Sequence, residues 1–207
     1  MADKPLRIAV VLSGCGVYDG AEVHEAVCTL LAISRAGAEA VCFAPDVPQA
    51  HVVNYLTGEE AAETRNVLAE SARIARGKVA DLATFDAAAV DALIFPGGFG
   101  AAKNLCDFAF KGADCTVNPD VEAAVRAMRD AGKPIGALCI APAILATLFG
   151  AEGIELTIGS DAGTAAVLES LALQLRFAPV GLVGDRLMTS PPGRPSDDDC
   201  GFDPPLS

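Results

Sequence analysis

The sequence is short of positive charge. It holds 15 Lys and Arg against 27 Asp and Glu, so the formal net charge is −12 and the isoelectric point is near 4.5. A surface with this excess of negative charge repels nucleic acid phosphates and anionic lipid headgroups. We therefore expect neither nucleic acid nor a membrane among the partners of this chain.

The sequence also lacks long apolar runs and the closely spaced cysteine pairs that bind metal ions. No segment approaches the roughly 20 uninterrupted apolar residues that span a bilayer. The start, Met-Ala-Asp-Lys-Pro-Leu-Arg, leads into a strand pattern without the charged-then-apolar layout of a signal peptide. The seven cysteines include no Cys-x-x-Cys pair, which fits neither a zinc site nor a disulfide scaffold. A reducing cytoplasm is the location that this usage favours.

What is present is the pattern of an α/β protein. The 207 residues suit one domain with a sizeable core, which we place at residues 1–189. The remainder, 190–207, is rich in Pro and Asp, and we expect a disordered or loosely attached tail there. Short apolar runs predict central parallel strands, and 3.6-residue periodicity predicts helices between them. Strands are predicted at 7–12, 38–44, 90–96 and before 139, with weaker ones at 155–159, 175–180 and 186–189. Helices are predicted at 21–36, 63–76, 119–131, from 142 onward and at 164–173.

Cys139 follows the fourth of these strands, and Pro142 suits the first turn of the next helix. A cysteine on a sharp strand-to-helix turn projects from the end of the sheet and lies at the positive end of the helix, which favours thiolate. This is the arrangement of a nucleophile elbow, with sulfur in place of the serine oxygen. The alternative is an inert cysteine that packs as a small hydrophobe.

Two glycine-rich loops follow other strands. The turn Pro96-Gly-Gly98 stands at the end of the third strand, where backbone amides could hold an anionic oxygen. The loop of residues 13–20 follows the first strand, but its glycines lack the Gly-x-Gly-x-x-Gly spacing of a dinucleotide site. Glu22 comes next, and it could simply complete a capping box with Asp19.

Four motifs now coincide: Ser13-Gly-Cys-Gly-Val-Tyr-Asp-Gly20, Glu22, Phe95-Pro-Gly-Gly-Phe-Gly-Ala-Ala-Lys-Asn-Leu105 and Leu138-Cys-Ile-Ala-Pro142. Together they resemble the ThiJ/PfpI, class I glutamine-amidotransferase-like superfamily, and within it the ElbB group, also called the enhancing lycopene biosynthesis or sigma cross-reacting proteins. The resemblance runs from about residue 7 to about residue 189. It implies a flavodoxin-like three-layer sandwich with a mainly parallel central sheet, a homodimer, and no cofactor or metal.

The resemblance also implies roles for individual residues. Cys139 would be the nucleophile, and Glu22 would be the glutamate beside it, with Glu25 as the fallback one turn further along the helix. The backbone N–H groups of Gly98 and Ile140 would be the oxyanion donors. Bacterial members are described as glyoxalases that convert α-oxoaldehydes such as methylglyoxal and glyoxal to hydroxy acids without glutathione. In that reaction Glu22 would be the base, provided that burial raises its pKa.

The sequence departs from the superfamily pattern in two places. Many members carry a histidine shortly after the elbow, but residues 157–160 here read Thr-Ile-Gly-Ser. His24 and His51 lie far upstream, so no Cys-His-acid triad is supported; we expect His24 to face solvent, with an approach to the site as the alternative. The Pro/Asp tail also replaces the long amphipathic helix with which ElbB-like chains end.

Several functions remain open at this point. A glyoxalase acting through a Cys139 hemithioacetal is the leading hypothesis. A second is a non-enzymatic redox or stress-response protein in which Cys139 is oxidised. A third is an amidotransferase-like domain without glutaminase activity, linked to isoprenoid biosynthesis, and a nucleotide-binding flavodoxin-like domain is disfavoured by the glycine spacing.

Overall fold

The computed structural model describes residues 4–156 and 162–171 in full, and the backbone of 174–175 and 181–183. Its centre is a six-stranded sheet with the order β3-β2-β1-β4-β5-β8. The first five of these strands are parallel, and β8 runs antiparallel to β5. Two further strands, β6 and β7, pair with each other in parallel. The strands are β1 Arg7–Val11, β2 Glu39–Ala44, β3 Val79–Asp81, β4 Ala92–Phe95, β5 Ile135–Ala137, β6 Glu155–Leu156, β7 Gln174–Leu175 and β8 Gly181–Val183.

Helices cover both faces of the central sheet. They are α1 Val23–Arg35, α2 Val67–Ile74, α3 Phe99–Lys103, α4 Phe108–Lys111, α5 Pro119–Asp130, α6 Pro142–Phe149 and α7 Ala162–Glu169. Buried residues of α5 and α6 pack in one core, and those of α1 and α2 pack in the other. The architecture is therefore the expected three-layer α/β sandwich with a mainly parallel sheet.

Successive side chains of β1 and of the residue after it point alternately into the two cores on either side of the sheet. Ala9 and Val11 point into the core beneath α5 and α6, while Val10 and Leu12 point into the core beneath α1 and α2. All four are essentially without solvent exposure. A strand buried on both faces must be apolar at every position, which is why this segment reads as a continuous apolar run. Each Val or Leu buried in this way contributes about 1.5–3 kcal/mol.

Several predicted elements change in extent. The helix predicted at 21–36 begins at Val23, the one predicted at 63–76 is confined to Val67–Ile74, and the one predicted at 164–173 occupies Ala162–Glu169. Strand β3, at the sheet edge, was not predicted, because three residues are too few to show a periodic pattern. The antiparallel strand β8 was not predicted either. The predicted strand at 186–189 and the tail at 190–207 lie outside the described residues, as do 157–159 and 176–180.

The helices in the described part of the chain are short compared with a membrane span. No helix within that part is both long and apolar enough to cross a bilayer.

Asn104 joins the loops at the carboxyl ends of the strands. Its side-chain amide donates to the carbonyl oxygens of Ser13 and Asp19, each at 2.9 Å, and its Oδ1 accepts the Ala50 N–H at 2.9 Å. The residue is 8% exposed. Because buried backbone groups are costly to leave unpaired, this one side chain fixes the glycine-rich loop against the segment around Ala50.

Replacing Asn104 by Ala should lower the free energy of unfolding by about 1–3 kcal/mol, since buried polar groups lose their partner. Urea unfolding followed by circular dichroism measures this. Asn54→Ala, at an exposed position, is the control and should cost no more than about 0.5 kcal/mol. Equal losses in the two variants would contradict the structural role of Asn104.

Candidate active site

Cys139 occupies a sharp turn between β5 and α6. Its φ is +54°, in the left-handed region that residues other than glycine rarely adopt. Pro142 stands in the first turn of α6, where its missing N–H leaves no intrahelical bond unmade. The turn leaves Cys139 exposed at the carboxyl edge of the sheet. Holding a cysteine in this conformation costs about 1–2 kcal/mol, and such strain is typical of functional turns.

Gly97 brings a carboxylate next to the elbow. A Cβ placed on Gly97 would lie 2.3 Å from the Cβ of Cys139 and 2.6 Å from Oε2 of Glu25. The Gly97 N–H itself donates to Glu25 Oε2 at 2.7 Å. The thiol of Cys139 also donates a hydrogen bond to the Glu25 carboxylate. Only glycine fits at this position, because the cysteine and the glutamate meet over its backbone.

Two backbone amides also converge on the sulfur. The N–H groups of Gly98 and Ile140 donate hydrogen bonds to Cys139 Sγ. Gly98 follows the end of β4 and has a φ of +94°, which turns its amide toward the site. Ile140 immediately follows the cysteine at the start of the α6 turn. The two amides predicted as oxyanion donors therefore share one site with the thiol.

The pKa of the Cys139 thiol is raised above its ordinary value. The residue as a whole is exposed, but the surrounding protein desolvates its sulfur, and this desolvation is the largest cause; the negative charge of Glu25 is the next. The amides of Gly98 and Ile140 act in the opposite direction but are outweighed. The expectation that the helix end makes this cysteine a thiolate is therefore not met in the resting site, where the raised pKa favours the thiol.

Glu22 is engaged elsewhere. It is the N-cap of α1, where its Oε2 accepts the Glu25 N–H at 2.6 Å, and its Oε1 is 2.7 Å from His24 Nδ1. Partial burial raises its pKa, but hydrogen bonds from His24 and the nearby amides outweigh this, and the net pKa is lowered. The condition set for Glu22 as a base, a raised pKa, is thus not met. The fallback residue Glu25 is the glutamate that contacts the thiol.

The two histidines stand apart from this arrangement. The His24 side chain is 92% exposed, as expected, and its hydrogen bond to Glu22 raises its pKa. The His51 ring packs edge-on against Phe110 with centroids 5.1 Å apart. The segment after the elbow that carries a histidine in many superfamily members, 157–160, lies outside the described residues.

A second network, around Asp19, was not predicted from the sequence. Asp19 is 2% exposed; its carboxylate accepts the Val53 N–H and the Tyr55 hydroxyl, each at 2.8 Å. The Tyr55 hydroxyl in turn accepts the Tyr18 N–H at 2.9 Å. Burial and the bond to Asp19 raise the pKa of Tyr55. Asp19 therefore fastens the segment around Tyr55 onto the glycine-rich loop, and the capping box proposed with Glu22 is not formed. No pattern in the irregular segment 45–58 pointed to this contact.

The described residues do not form a metal site. They contain no group of three or more His, Cys, Asp and Glu side chains placed to hold a metal ion.

The strain at the elbow can be measured with a pair of substitutions. Cys139→Gly should be more stable than Cys139→Ala by about 0.5–1 kcal/mol in urea unfolding, because glycine adopts a positive φ without steric cost. The same pair at Cys28, within helix α1, is the matched control. There the order should reverse, with alanine more stable by about 0.5–1 kcal/mol. The same order at both positions would contradict the turn described here.

Glu25→Gln should lower the pKa of Cys139, because it removes the negative charge that disfavours the thiolate while keeping the shape of the side chain. The rate of alkylation by iodoacetamide, measured against pH, should shift to lower pH, and the reaction at neutral pH should become faster. Glu22→Gln, which changes a carboxylate that does not contact the thiol, should leave the profile in place. An unchanged profile in Glu25→Gln would show that the Glu25 charge does not control the thiol.

Comparison with known proteins places this geometry in a family. No family model matches the chain. The human glutamine amidotransferase-like class 1 domain-containing protein 3, mitochondrial, is 54% identical over 175 residues, which cover 80% of this chain. The matched region spans 65% of the length of that relative.

Solved structures extend the comparison. An isoprenoid biosynthesis protein with an amidotransferase-like domain from Ehrlichia chaffeensis is 37% identical, with a TM-score of 0.76, and the match covers 84% of this chain and 80% of that one. A ThiJ/PfpI domain protein from Brachyspira murdochii has a TM-score of 0.54 at 16% identity, covering 84% of this chain and 80% of that one, which shows a shared fold. The chain therefore belongs to the glutamine amidotransferase-like class 1 proteins, and it has the fold of the ThiJ/PfpI proteins.

Proposed function

We propose that the chain is a thiol-dependent glyoxalase, which converts small α-oxoaldehydes such as methylglyoxal and glyoxal to hydroxy acids without glutathione. The observation that carries this proposal is the meeting of Cys139, the Glu25 carboxylate and the two amides at one edge of the sheet. A nucleophile, a base in contact with it and a pair of oxyanion donors are the groups that addition to an aldehyde requires.

The first step is addition of the thiol to the aldehyde carbon. Glu25 accepts the thiol proton as the sulfur–carbon bond forms, so a raised thiol pKa does not prevent attack. The aldehyde oxygen gains the electron pair of its former double bond. The N–H groups of Gly98 and Ile140 donate hydrogen bonds that stabilise that oxyanion. The oxyanion then takes the thiol proton from Glu25 and becomes the hemithioacetal hydroxyl, which leaves Glu25 as a carboxylate for the next step.

The second step is an internal redox reaction. Glu25 removes the hydrogen of the former aldehyde carbon as a proton and returns a proton to the neighbouring carbon through an enediolate. The first carbon is oxidised to a thioester, and the second is reduced from a ketone to an alcohol (from an aldehyde, when the substrate is glyoxal). Water then attacks the thioester, releases the hydroxy acid and restores the Cys139 thiol. The sum is oxoaldehyde plus water to hydroxy acid, and no external electron carrier is consumed.

Glu25 is preferred to Glu22 as the base on geometric grounds. A general base must lie within hydrogen-bonding reach of the proton that it takes, and Glu25 alone of the two makes a hydrogen bond with the thiol in this structure. Glu22 is held by the Glu25 amide and His24, and its lowered pKa makes it a weaker base.

A redox function is the second candidate, and the exposure of Cys139 favours it. The amides of Gly98 and Ile140 could hold a sulfinate oxygen as readily as an aldehyde oxyanion. The raised pKa acts against this function, because the thiolate is the form that reacts with oxidants. The name of the Ehrlichia relative suggests a third candidate, a role in isoprenoid biosynthesis without glutaminase chemistry.

The location and assembly of the chain are proposals of the same kind. The six described cysteines are free thiols, which supports a reducing compartment such as the cytoplasm. The name of the human relative assigns that protein to mitochondria. A homodimer is supported by the exposed apolar side chains of Val27 and Leu31 on α1, each close to half exposed.

The test is hydroxy-acid production from methylglyoxal and from glyoxal by the purified chain in the absence of glutathione. Cys139→Ala should abolish turnover, and Glu25→Gln should reduce kcat by about 100-fold or more, the usual contribution of a positioned base. Glu22→Gln should reduce kcat far less, because its carboxylate caps a helix and does not meet the thiol.

Two outcomes would count against the proposal. Turnover no higher than that of Cys139→Ala would exclude glyoxalase activity on these substrates and leave the redox function as the better candidate. A larger loss in Glu22→Gln than in Glu25→Gln, with both variants folded by circular dichroism, would return the base to Glu22.

A further inference from the structure

Cys106 and Cys115 lie on a short two-stranded ladder away from the elbow. Cys106 pairs with Val117 in antiparallel fashion, and the flanking bonds run from Asn118 N–H to Leu105 O at 2.9 Å and from Asp107 N–H to Thr116 O at 3.1 Å. Residues two apart on a strand point to the same face. Cys115 is two residues from Val117, so Cys106 and Cys115 are diagonal neighbours on one face of the ladder.

The two sulfurs lie close together. The thiols of Cys106 and Cys115 interact with each other, and each alters the pKa of the other. Cys106 Sγ lies 3.3 Å from Ala101 O, and Cys115 Sγ lies 2.8 Å from Thr147 Oγ1. Both residues are buried, at 4% and 8% exposure. The pair is therefore held between α3, which contains Ala101, and α6, which contains Thr147.

A cleft gives small molecules access to this pair. It has a volume of about 240 Å³, and Cys106 lines it together with polar side chains that include Lys103, Asp107 and Thr116. A water molecule takes up about 30 Å³ of liquid, so a polar molecule of a few heavy atoms fits. A hydroperoxide that enters the cleft meets Cys106, and Cys115 lies next to Cys106.

We propose that Cys106 and Cys115 form a redox-active dithiol that a hydroperoxide oxidises to a disulfide. This site is separate from Cys139 and does not depend on the proposed glyoxalase function. Among the described cysteines, these are the two whose thiols interact with each other. Their diagonal placement needs no rearrangement of the ladder register.

The reaction proceeds in two balanced steps. One sulfur attacks the hydroperoxide; the oxygen–oxygen bond breaks, an alcohol or water leaves, and a sulfenic acid forms. The other sulfur then attacks the sulfenic acid, the sulfur–oxygen bond breaks, water leaves and the disulfide forms. The two thiols supply two electrons and two protons, and the hydroperoxide accepts them.

Each of the two thiols has one property of the first nucleophile. Cys106 lines the cleft that the hydroperoxide enters, whereas the contact with Cys106 lowers the pKa of Cys115 to about 6. Whichever sulfur attacks first, the other lies beside it and resolves the sulfenic acid.

The test is peptide mapping of the folded chain after treatment with hydrogen peroxide and blocking of the remaining thiols with N-ethylmaleimide. Trypsin cuts after Lys103, Lys111 and Arg126, which places Cys106 in peptide 104–111 and Cys115 in peptide 112–126. The expected product is these two peptides joined, lighter by two hydrogens than their sum, and separated again by dithiothreitol. Thiol titration of the Cys139→Ala variant should show a loss of two thiols per chain.

Single substitutions provide the controls. Cys106→Ala and Cys115→Ala should each remove the joined peptides, and Cys28→Ala, at an exposed position on α1, should retain them. In the Cys106→Ala and Cys115→Ala variants the remaining cysteine of the pair should instead be captured by dimedone as a sulfenic acid.

The proposal would be overturned by full N-ethylmaleimide labelling of both thiols after a peroxide dose that oxidises Cys139. Joining of either peptide to one that carries another cysteine, or joining only after the chain is unfolded in urea, would also overturn it.

Discussion

The absence of a side chain at Gly97 is the constraint on which the candidate site depends. The cysteine of the elbow and the carboxylate of Glu25 approach the same point from opposite elements, one from β5 and the other from α1. Neither could reach it past a methyl group. Because Gly97 has no side chain, its backbone N–H is accessible, and it donates a hydrogen bond to the Glu25 carboxylate. Close approach of two chemical groups is thus obtained by removing the steric obstacle between them.

That approach sets the electrostatics of the thiol. A carboxylate beside a cysteine disfavours the thiolate, while two amide donors favour it, and the carboxylate and burial prevail. Such a thiol is slow to react without help and fast when its proton can pass to the neighbouring base. This behaviour suits the proposed addition of the thiol to an aldehyde.

Two buried polar side chains fix the loops around the site, and no pattern in the sequence predicts their contacts. Asn104 and Asp19 each hold backbone groups of distant segments, and both are almost fully buried. A buried polar group is stable only when all of its hydrogen-bond partners are present. The loops that Asn104 and Asp19 join therefore hold each other in position. The edge of the sheet where ligands bind in open α/β folds is therefore rigid around the glycine-rich loop, although it consists of loops.

The sequence by itself determined the layers, the central parallel strands, the turn that holds Cys139 and the start of α6 at Pro142. These follow from local rules: apolar runs, helical periodicity, and the backbone limits of glycine and proline. Only the tertiary structure decided between Glu22 and Glu25. They stand three residues apart near the start of one helix, and the choice depends on which of them faces Gly97, 72 residues further along the chain. Only the tertiary structure shows the Asp19–Tyr55 contact and the Cys106–Cys115 pair. Packing sets such contacts between separate segments, and no periodicity in the sequence predicts them.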